Sequence, residues 1–182
     1  MALLDANVLY PARLRDLLVR LAIAGLYQAR WSEQILDECF ENLIADRPDL
    51  PAENLHRTRD LLTIALPDAV VTDYQELVAT LDLPDPDDRH VLAAALVAGA
   101  EFLVSANLAD FPAGSMPAGA AALSPDDFVL KLIHADPEAV AAVVDDQAAA
   151  LRSPPLTTTE LLAGLEIVGL TKSVDAVRRA MG

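Results

Sequence analysis

The stretch from Leu83 to Phe111 constrains the fold most, because it combines a helix and a buried strand with acidic residues at both ends. Pro84 and Pro86 end any helix that precedes them, and an Asp that follows a proline is a good N-cap. A helix is therefore predicted to start at Asp87 or Asp88 and to stop at Gly99. Phe102–Val104 is a short apolar run typical of a fully buried strand.

Acidic and polar residues follow the predicted strands. Asp5 comes directly after the apolar run Ala2–Leu4. Ligands of an open parallel sheet bind at the carboxyl ends of its strands, so Ser105, Asn107 and Asp110 are expected to lie there. Burying an unpaired carboxylate is costly. Asp5 is therefore interpreted as a functional residue in preference to a turn-capping one.

Predicted strands and helices alternate along the chain. Strands are predicted at Ala2–Leu4, Asp68–Val71, Phe102–Val104 and near Ala121–Leu123. Strands separated by helices indicate an α/β fold with a parallel, right-handed sheet. The predicted helices cover residues 11–24, 33–45, 55–66, 74–81, 87–98, 125–134, 137–151, 161–168 and 173–180.

The helix that follows Ser32 carries two acids that can reach a site. Ser32 is a plausible N-cap, and the apolar residues of the helix form one stripe. Asp37 and Glu38 lie at opposite borders of that stripe. The geometry of the helix does not decide between them.

The net charge of −15 argues against loose, non-specific binding of nucleic acid, which depends on Lys and Arg. An acidic cleft filled by a divalent cation remains compatible with this charge, because the ion inverts the local potential. Among the arginines of the first third, Arg13 and Arg15 are candidates for phosphate contacts.

The single cysteine, Cys39, excludes an internal disulfide and fits a reducing compartment. The longest apolar run is too short to span a bilayer, and the amino terminus lacks the pattern of a signal peptide. A soluble cytoplasmic protein without membrane contact is predicted.

Four carboxylates are thus expected at one edge of the sheet: Asp5, an acid of the second helix, Asp88 and Asp110. Such a cluster repels itself unless some members are protonated or a hard cation lies among them. A site without a cysteine or histidine cluster disfavours zinc, whereas oxygen ligands suit Mg²⁺ or Mn²⁺.

Four stretches resemble, in order and spacing, the acidic motifs of PIN-domain proteins, especially VapC-type toxins. The second has the pattern S-x-x-I-L-x-E. The stretches are Leu3–Leu9, Ser32–Glu38, Asp88–Ala95 and Val104–Phe111.

The resemblance implies a three-layer α/β/α PIN-like domain over residues 1–128, followed by a helical extension over residues 129–182. It also implies a Mg²⁺- or Mn²⁺-dependent endoribonuclease that acts on RNA, forms a homodimer and is held inactive by a cognate antitoxin. The catalytic residues would be Asp5, Glu38, Asp88 and Asp110, with Glu38 chosen over Asp37. Asp5, Asp88 and Asp110 would hold the metal, supported by Asn7, Ser105 and Asn107.

Three alternatives stay open at this point. Asp87 can replace Asp88 as the third acid, because acidic residues crowd this position. A haloacid dehalogenase-type phosphatase also begins with an Asp after its first strand, but its second acid is replaced here by Asn7. A catalytically silent PIN fold that binds proteins is the third alternative, and the acidic surface and the carboxyl-terminal tail would serve it.

Overall fold

A computed structural model describes residues 1–152 and 154–181; Ser153 and Gly182, both in the predicted extension, lie outside the described residues. All five strands are parallel, in the order β3-β2-β1-β4-β5. The α/β fold with a parallel sheet flanked by helices is therefore confirmed. The strands are β1 (Ala2–Leu4), β2 (Ala29–Ser32), β3 (Val70–Val71), β4 (Phe102–Val104) and β5 (Ala121–Leu123).

Ten α-helices are assigned within the described residues. None of them is long and apolar enough to cross a membrane. They are α1 (Ala6–Leu9), α2 (Ala12–Ile23), α3 (Glu33–Asp46), α4 (Ala52–Ala65), α5 (Gln75–Val78), α6 (Arg89–Ala98), α7 (Pro125–Ala135), α8 (Pro137–Ala150), α9 (Thr158–Ile167) and α10 (Thr171–Met181).

The central strand β1 sets the position of the edge where the acids were expected. All three of its residues are buried, and its neighbours are β2 and β4. Leu4 pairs with Val104, so the next residues, Asp5 and Ser105, leave the sheet side by side. Helix α6 packs against β1 and β2, and this explains why its apolar residues do not follow a single stripe.

Three elements between β1 and α6 differ from the prediction. Strand β2 was not predicted, because Arg30 and Ser32 interrupt a run of only four residues and Ser32 was interpreted solely as a helix cap. The helix predicted over residues 74–81 is the single turn α5. The strand predicted at Asp68–Val71 is shorter, because Pro67–Ala69 form a 3-10 turn.

The carboxyl-terminal helices pack on one another and on α2. Gln147 donates through Nε2 to the Arg13 carbonyl at 3.0 Å. A Cβ added at Gly164 would lie 2.8 Å from Cζ of Arg13, so that α9 and the Arg13 side chain approach closely at a glycine. The division at 128/129 stays a prediction, but it falls inside α7.

The carboxylate of Asp126 joins α7 to the start of α10. It is buried and accepts hydrogen bonds from the backbone N–H of Lys172 at 3.0 Å and of Ser173 at 2.8 Å. These are two of the N–H groups that an α-helix leaves without an internal partner. Asp126 therefore supplies from a distant helix the cap that α10 needs.

We expect Asp126→Ala to lower the free energy of unfolding by about 1 to 2 kcal/mol, because the buried N–H of Ser173 and the partly buried N–H of Lys172 lose their acceptor. Urea denaturation of the full chain measures this change. Asp146→Ala, on the exposed face of α8, is the matched control and should change the free energy by less than about 0.5 kcal/mol. Equal effects of the two variants would contradict the capping role.

Candidate functional site

Asp5 is the most buried acid of the predicted site. Its side chain caps α1 by accepting from the Ala6 N–H at 2.7 Å, and the residue is 4% exposed. Burial raises the pKa of Asp5 above its usual range, although hydrogen bonds from Ser105 and Ala6 oppose that rise. Asp5 therefore caps the turn after β1, which was the interpretation ranked second. It also lies at the predicted edge of the sheet.

Asn7 and Ser105 fix the second oxygen of Asp5. Asn7 Nδ2 donates to Oδ2 at 2.6 Å, and Ser105 Oγ donates to it at 2.7 Å. Asn7 also accepts from the Ala106 N–H at 2.9 Å and thereby ties the loop after β4 to the turn after β1. These contacts place Asn7 and Ser105 where a supporting role was predicted.

Asp88 and Asp110 both lie near Asp5. Burial of Asp88, together with the negative charges of Asp5 and Asp110, raises the pKa of Asp88 to about 7. Asn107 Nδ2 donates to Asp110. Acids from three distant parts of the sequence therefore interact at the carboxyl edge of the sheet.

The start of α6 leaves the Asp88 carboxylate free to take part in this cluster. An Asp cap was predicted there, and Asp88 does occupy the N-cap position, but its side chain makes no capping hydrogen bond. Asp85 instead accepts from the Asp87 N–H at 2.9 Å and caps the preceding 3-10 turn. This arrangement favours Asp88 over Asp87 as the third acid.

The two acids of α3 have different partners. Asp37 pairs with Arg59 of α4 at 2.7 Å, whereas Glu38 lies 3.5 Å from Nε2 of His90. Glu38 also raises the pKa of Asp5, so the two carboxylates are near each other. Glu38 thus lies near Asp5, whereas the carboxylate of Asp37 is paired with Arg59.

His90 is the neighbour of the site that the sequence did not reveal. It was interpreted as an isolated structural or solvated residue, but it is buried and contacts Glu38. The only available signal was its place two residues after Asp88. A contact with a helix elsewhere in the chain could not be predicted from that spacing.

The arginines predicted to contact phosphate lie elsewhere. Arg15 is 8% exposed, and its Nη1 donates to the Leu9 carbonyl at 2.6 Å and to the Tyr10 carbonyl at 3.2 Å. A guanidinium buried on backbone carbonyls does not reach a phosphate, so the position of Arg15 contradicts that prediction. Arg13 is exposed but lies against Gly164 of α9.

A groove of about 440 Å³ beside Asp88 is strongly acidic; we call it the acidic groove. A second cavity of about 250 Å³ adjoins it and shares Glu38 and Asn42 with it. The acidic groove is lined by Gln34, Asp37, Glu38, Glu41, Asn42, Asp87, Asp88 and His90.

The donors at this edge fit a hard divalent cation. Asp5, Asp88 and Asp110 offer only oxygen atoms. Besides burial, the charges of Asp5 and Asp110 raise the pKa of Asp88, and a bound cation would relieve this repulsion. Within residues 1–152 and 154–181, no three His, Cys, Asp or Glu side chains already surround one ion position. The chemistry of the donors thus suits Mg²⁺ or Mn²⁺. To bind one ion together, the carboxylates would have to move closer to one another.

Two family models match the sequence. The model described as PIN domain matches residues 1–109, which is more than half of the chain. The chain belongs to the PIN-domain family. This confirms the resemblance that four acidic stretches had indicated.

The carboxyl-terminal helices match a model of their own. The model described as VapC50 C-terminal domain covers residues 125–179, which begins at the first residue of α7. Nearly all of the helical extension predicted over residues 129–182 lies within this match.

One curated relative was found at the level of sequence. The protein named "Putative ribonuclease VapC50", from Mycobacterium tuberculosis (strain ATCC 25618 / H37Rv), is 40% identical over 93 residues. These residues make up 50% of this chain and 54% of the relative, so the alignment spans about half the length of that protein. No solved structure matches the chain.

The raised pKa values of Asp88 and Asp5 predict a pH dependence of stability in metal-free protein. Carboxyl groups whose pKa is higher in the folded state stabilise it at low pH, and the contribution of Asp88 is lost as the pH rises through its pKa of about 7. Asp5, whose pKa is also raised, contributes in the same direction. In chelator, we expect the melting temperature to fall on the order of a few °C between pH 5 and pH 8.

Asp88→Asn serves as the comparison, because it keeps the size and polarity of the side chain but removes the titrating group. Thermal denaturation across the pH range should give a flatter profile for this variant. Identical profiles for the variant and the parent chain would contradict the role given to Asp88.

Proposed function

We propose that this protein is a Mg²⁺- or Mn²⁺-dependent endoribonuclease and the toxin of a toxin–antitoxin pair. The observation that carries the proposal is the proximity of Asp5, Asp88 and Asp110, where burial and the charges of the other two acids raise the pKa of Asp88 to about 7. Membership of the PIN-domain family supports a nuclease, and the printed name of the relative supports RNA as the substrate.

In this mechanism Asp5, Asp88 and Asp110 would hold the cation, and Glu38 would orient the attacking water. Asn7 and Ser105 keep Asp5 in one orientation through hydrogen bonds, and Asn107 does the same for Asp110. A bound divalent cation supplies charge neutralisation and makes the attack of water on phosphorus easier. The residues of the chain thus preorganise the site before RNA arrives.

The proposal includes a homodimer, a cytoplasmic location and a cognate antitoxin that blocks the site. A cation-dependent site also agrees with the acidic groove, because the described residues there offer carboxylates and no free arginine. Arg59, at the border of the groove, is already paired with Glu33 at 2.5 Å and with Asp37 at 2.7 Å.

A silent PIN fold that binds proteins is the second candidate. It is favoured by one observation, that the described acids do not yet surround a common ion position. A chain of this kind would keep the hydrogen bonds of Asp5 for structural reasons and would gain nothing from a divalent ion.

We expect Asp88→Asn to reduce metal-dependent RNA cleavage by at least about 100-fold, because a charged group of the site is lost. Purified protein is incubated with total RNA, with Mg²⁺ or chelator, and the new RNA ends are mapped. Asp87→Asn is the matched control, since Asp87 is an exposed neighbouring acid, and it should stay within a few-fold of the parent chain. The reverse order would show that Asp87 is the third acid.

We also expect Mn²⁺ to raise the melting temperature in proportion to the logarithm of its concentration above the dissociation constant, because it binds only the folded chain. At 100 times that constant, the added stability is about 2.7 kcal/mol. Asp110→Asn should abolish the rise. A parent chain whose melting temperature ignores Mn²⁺ would support the silent fold instead.

A further inference from the structure

His90 lies between two helices that carry acids of the proposed site. It belongs to the first turn of α6, directly after Asp88 and Arg89. Its Nε2 atom lies 3.5 Å from Oε2 of Glu38 on α3, and its side chain is only 7% exposed. One imidazole thus connects the start of α6 to the middle of α3.

The position of the Glu38 carboxylate depends on its contact with His90. Its side chain is 46% exposed, and within residues 1–152 and 154–181 it has no other ion pair. Glu33 and Asp37, on the same helix, are both held by Arg59. A half-exposed glutamate has several rotamers available, so the position of its carboxylate is set by His90.

The charges around Asp5 explain why Glu38 needs a partner such as His90. Glu38 raises the pKa of Asp5 and His90 lowers it, so both groups lie within reach of Asp5. The charge of Asp5 repels Glu38. A partner for Glu38 is needed to keep the two acids near each other, and His90 Nε2, 3.5 Å from Oε2 of Glu38, is in position to be that partner.

The second ring nitrogen of His90, Nδ1, indicates that this residue lowers the stability of the folded chain. Nδ1 is buried and makes no hydrogen bond. A buried polar atom without a partner is destabilising, and exceptions of this kind call for an explanation. An apolar side chain of similar size would fill the same space without that cost.

We propose that His90 is a positioning residue that holds the carboxylate of Glu38 at the acidic edge of the sheet. The proposal rests on the nuclease function proposed above. His90 itself touches neither substrate nor metal in this assignment. Partners that orient the groups around a metal typically change metal affinity or activity by about 10- to 100-fold when removed.

The test is a double-mutant cycle of His90→Leu and Glu38→Ala in the full chain. We expect His90→Leu to lower kcat for RNA cleavage by about 10- to 100-fold with KM for RNA unchanged. In the Glu38→Ala background it should cause no further loss, because its partner is already gone. The same four proteins are titrated with Mn²⁺ in a calorimeter, which gives a readout that does not need cleavage.

Two further variants separate positioning from packing. His90→Gln places an amide N–H near the position of Nε2 and should recover most of the kcat that His90→Leu loses. His134→Leu makes the same replacement at an exposed histidine of α7 and should change neither readout. Melting temperatures without metal confirm that each variant is folded.

Several results would overturn the assignment of His90. These are losses from the two single substitutions that multiply in the double variant, equal loss in the Leu and Gln variants, or a Glu38→Ala protein with unchanged kcat and Mn²⁺ affinity. If the parent chain binds Mn²⁺ but cleaves no RNA, the nuclease proposal fails, while the cycle in Mn²⁺ affinity still decides the role of His90. If the parent chain binds no Mn²⁺, both proposals fail.

Discussion

The buried carboxylate of Asp5 at the end of the central strand is the constraint on which the site depends. A charged group in this position is costly unless hydrogen bonds satisfy it. Hydrogen bonds to the Asp5 carboxylate come from the Ala6 N–H, Asn7 and Ser105. Because Ser105 follows β4, satisfying Asp5 also fixes the loop that leads to Asp110. One electrostatic requirement thus joins two neighbouring strands and their loops.

The same parts of the site could be predicted from the sequence for a physical reason. The runs Ala2–Leu4 and Phe102–Val104 are apolar and end in polar residues, so both strands and the edge they share were evident. Helix α6 was evident because proline, aspartate and glycine mark its ends. Local patterns of this kind depend little on what the rest of the chain does.

The remaining features required the tertiary structure. Strand β2 contains Arg30 and Ser32 and is recognisable only by its pairing with β1 and β3. Arg15 has the spacing of a solvated helix residue. Its guanidinium is nevertheless buried, where it donates hydrogen bonds to the carbonyls at the end of α1. The contact between His90 and Glu38 joins two helices far apart in sequence. Spacing along the chain carries no information about such contacts.

The packing of the last helices on α2 has a consequence for the order of folding. Leu17 of α2 shares an apolar interior with Val140, Leu162 and Val174 from α8, α9 and α10. Leu17 and its neighbours on this face of α2 are buried only when the three later helices have packed against them. Because α2 follows the turn that Asp5 caps, the carboxyl-terminal helices must pack before this part of the PIN domain is fully enclosed.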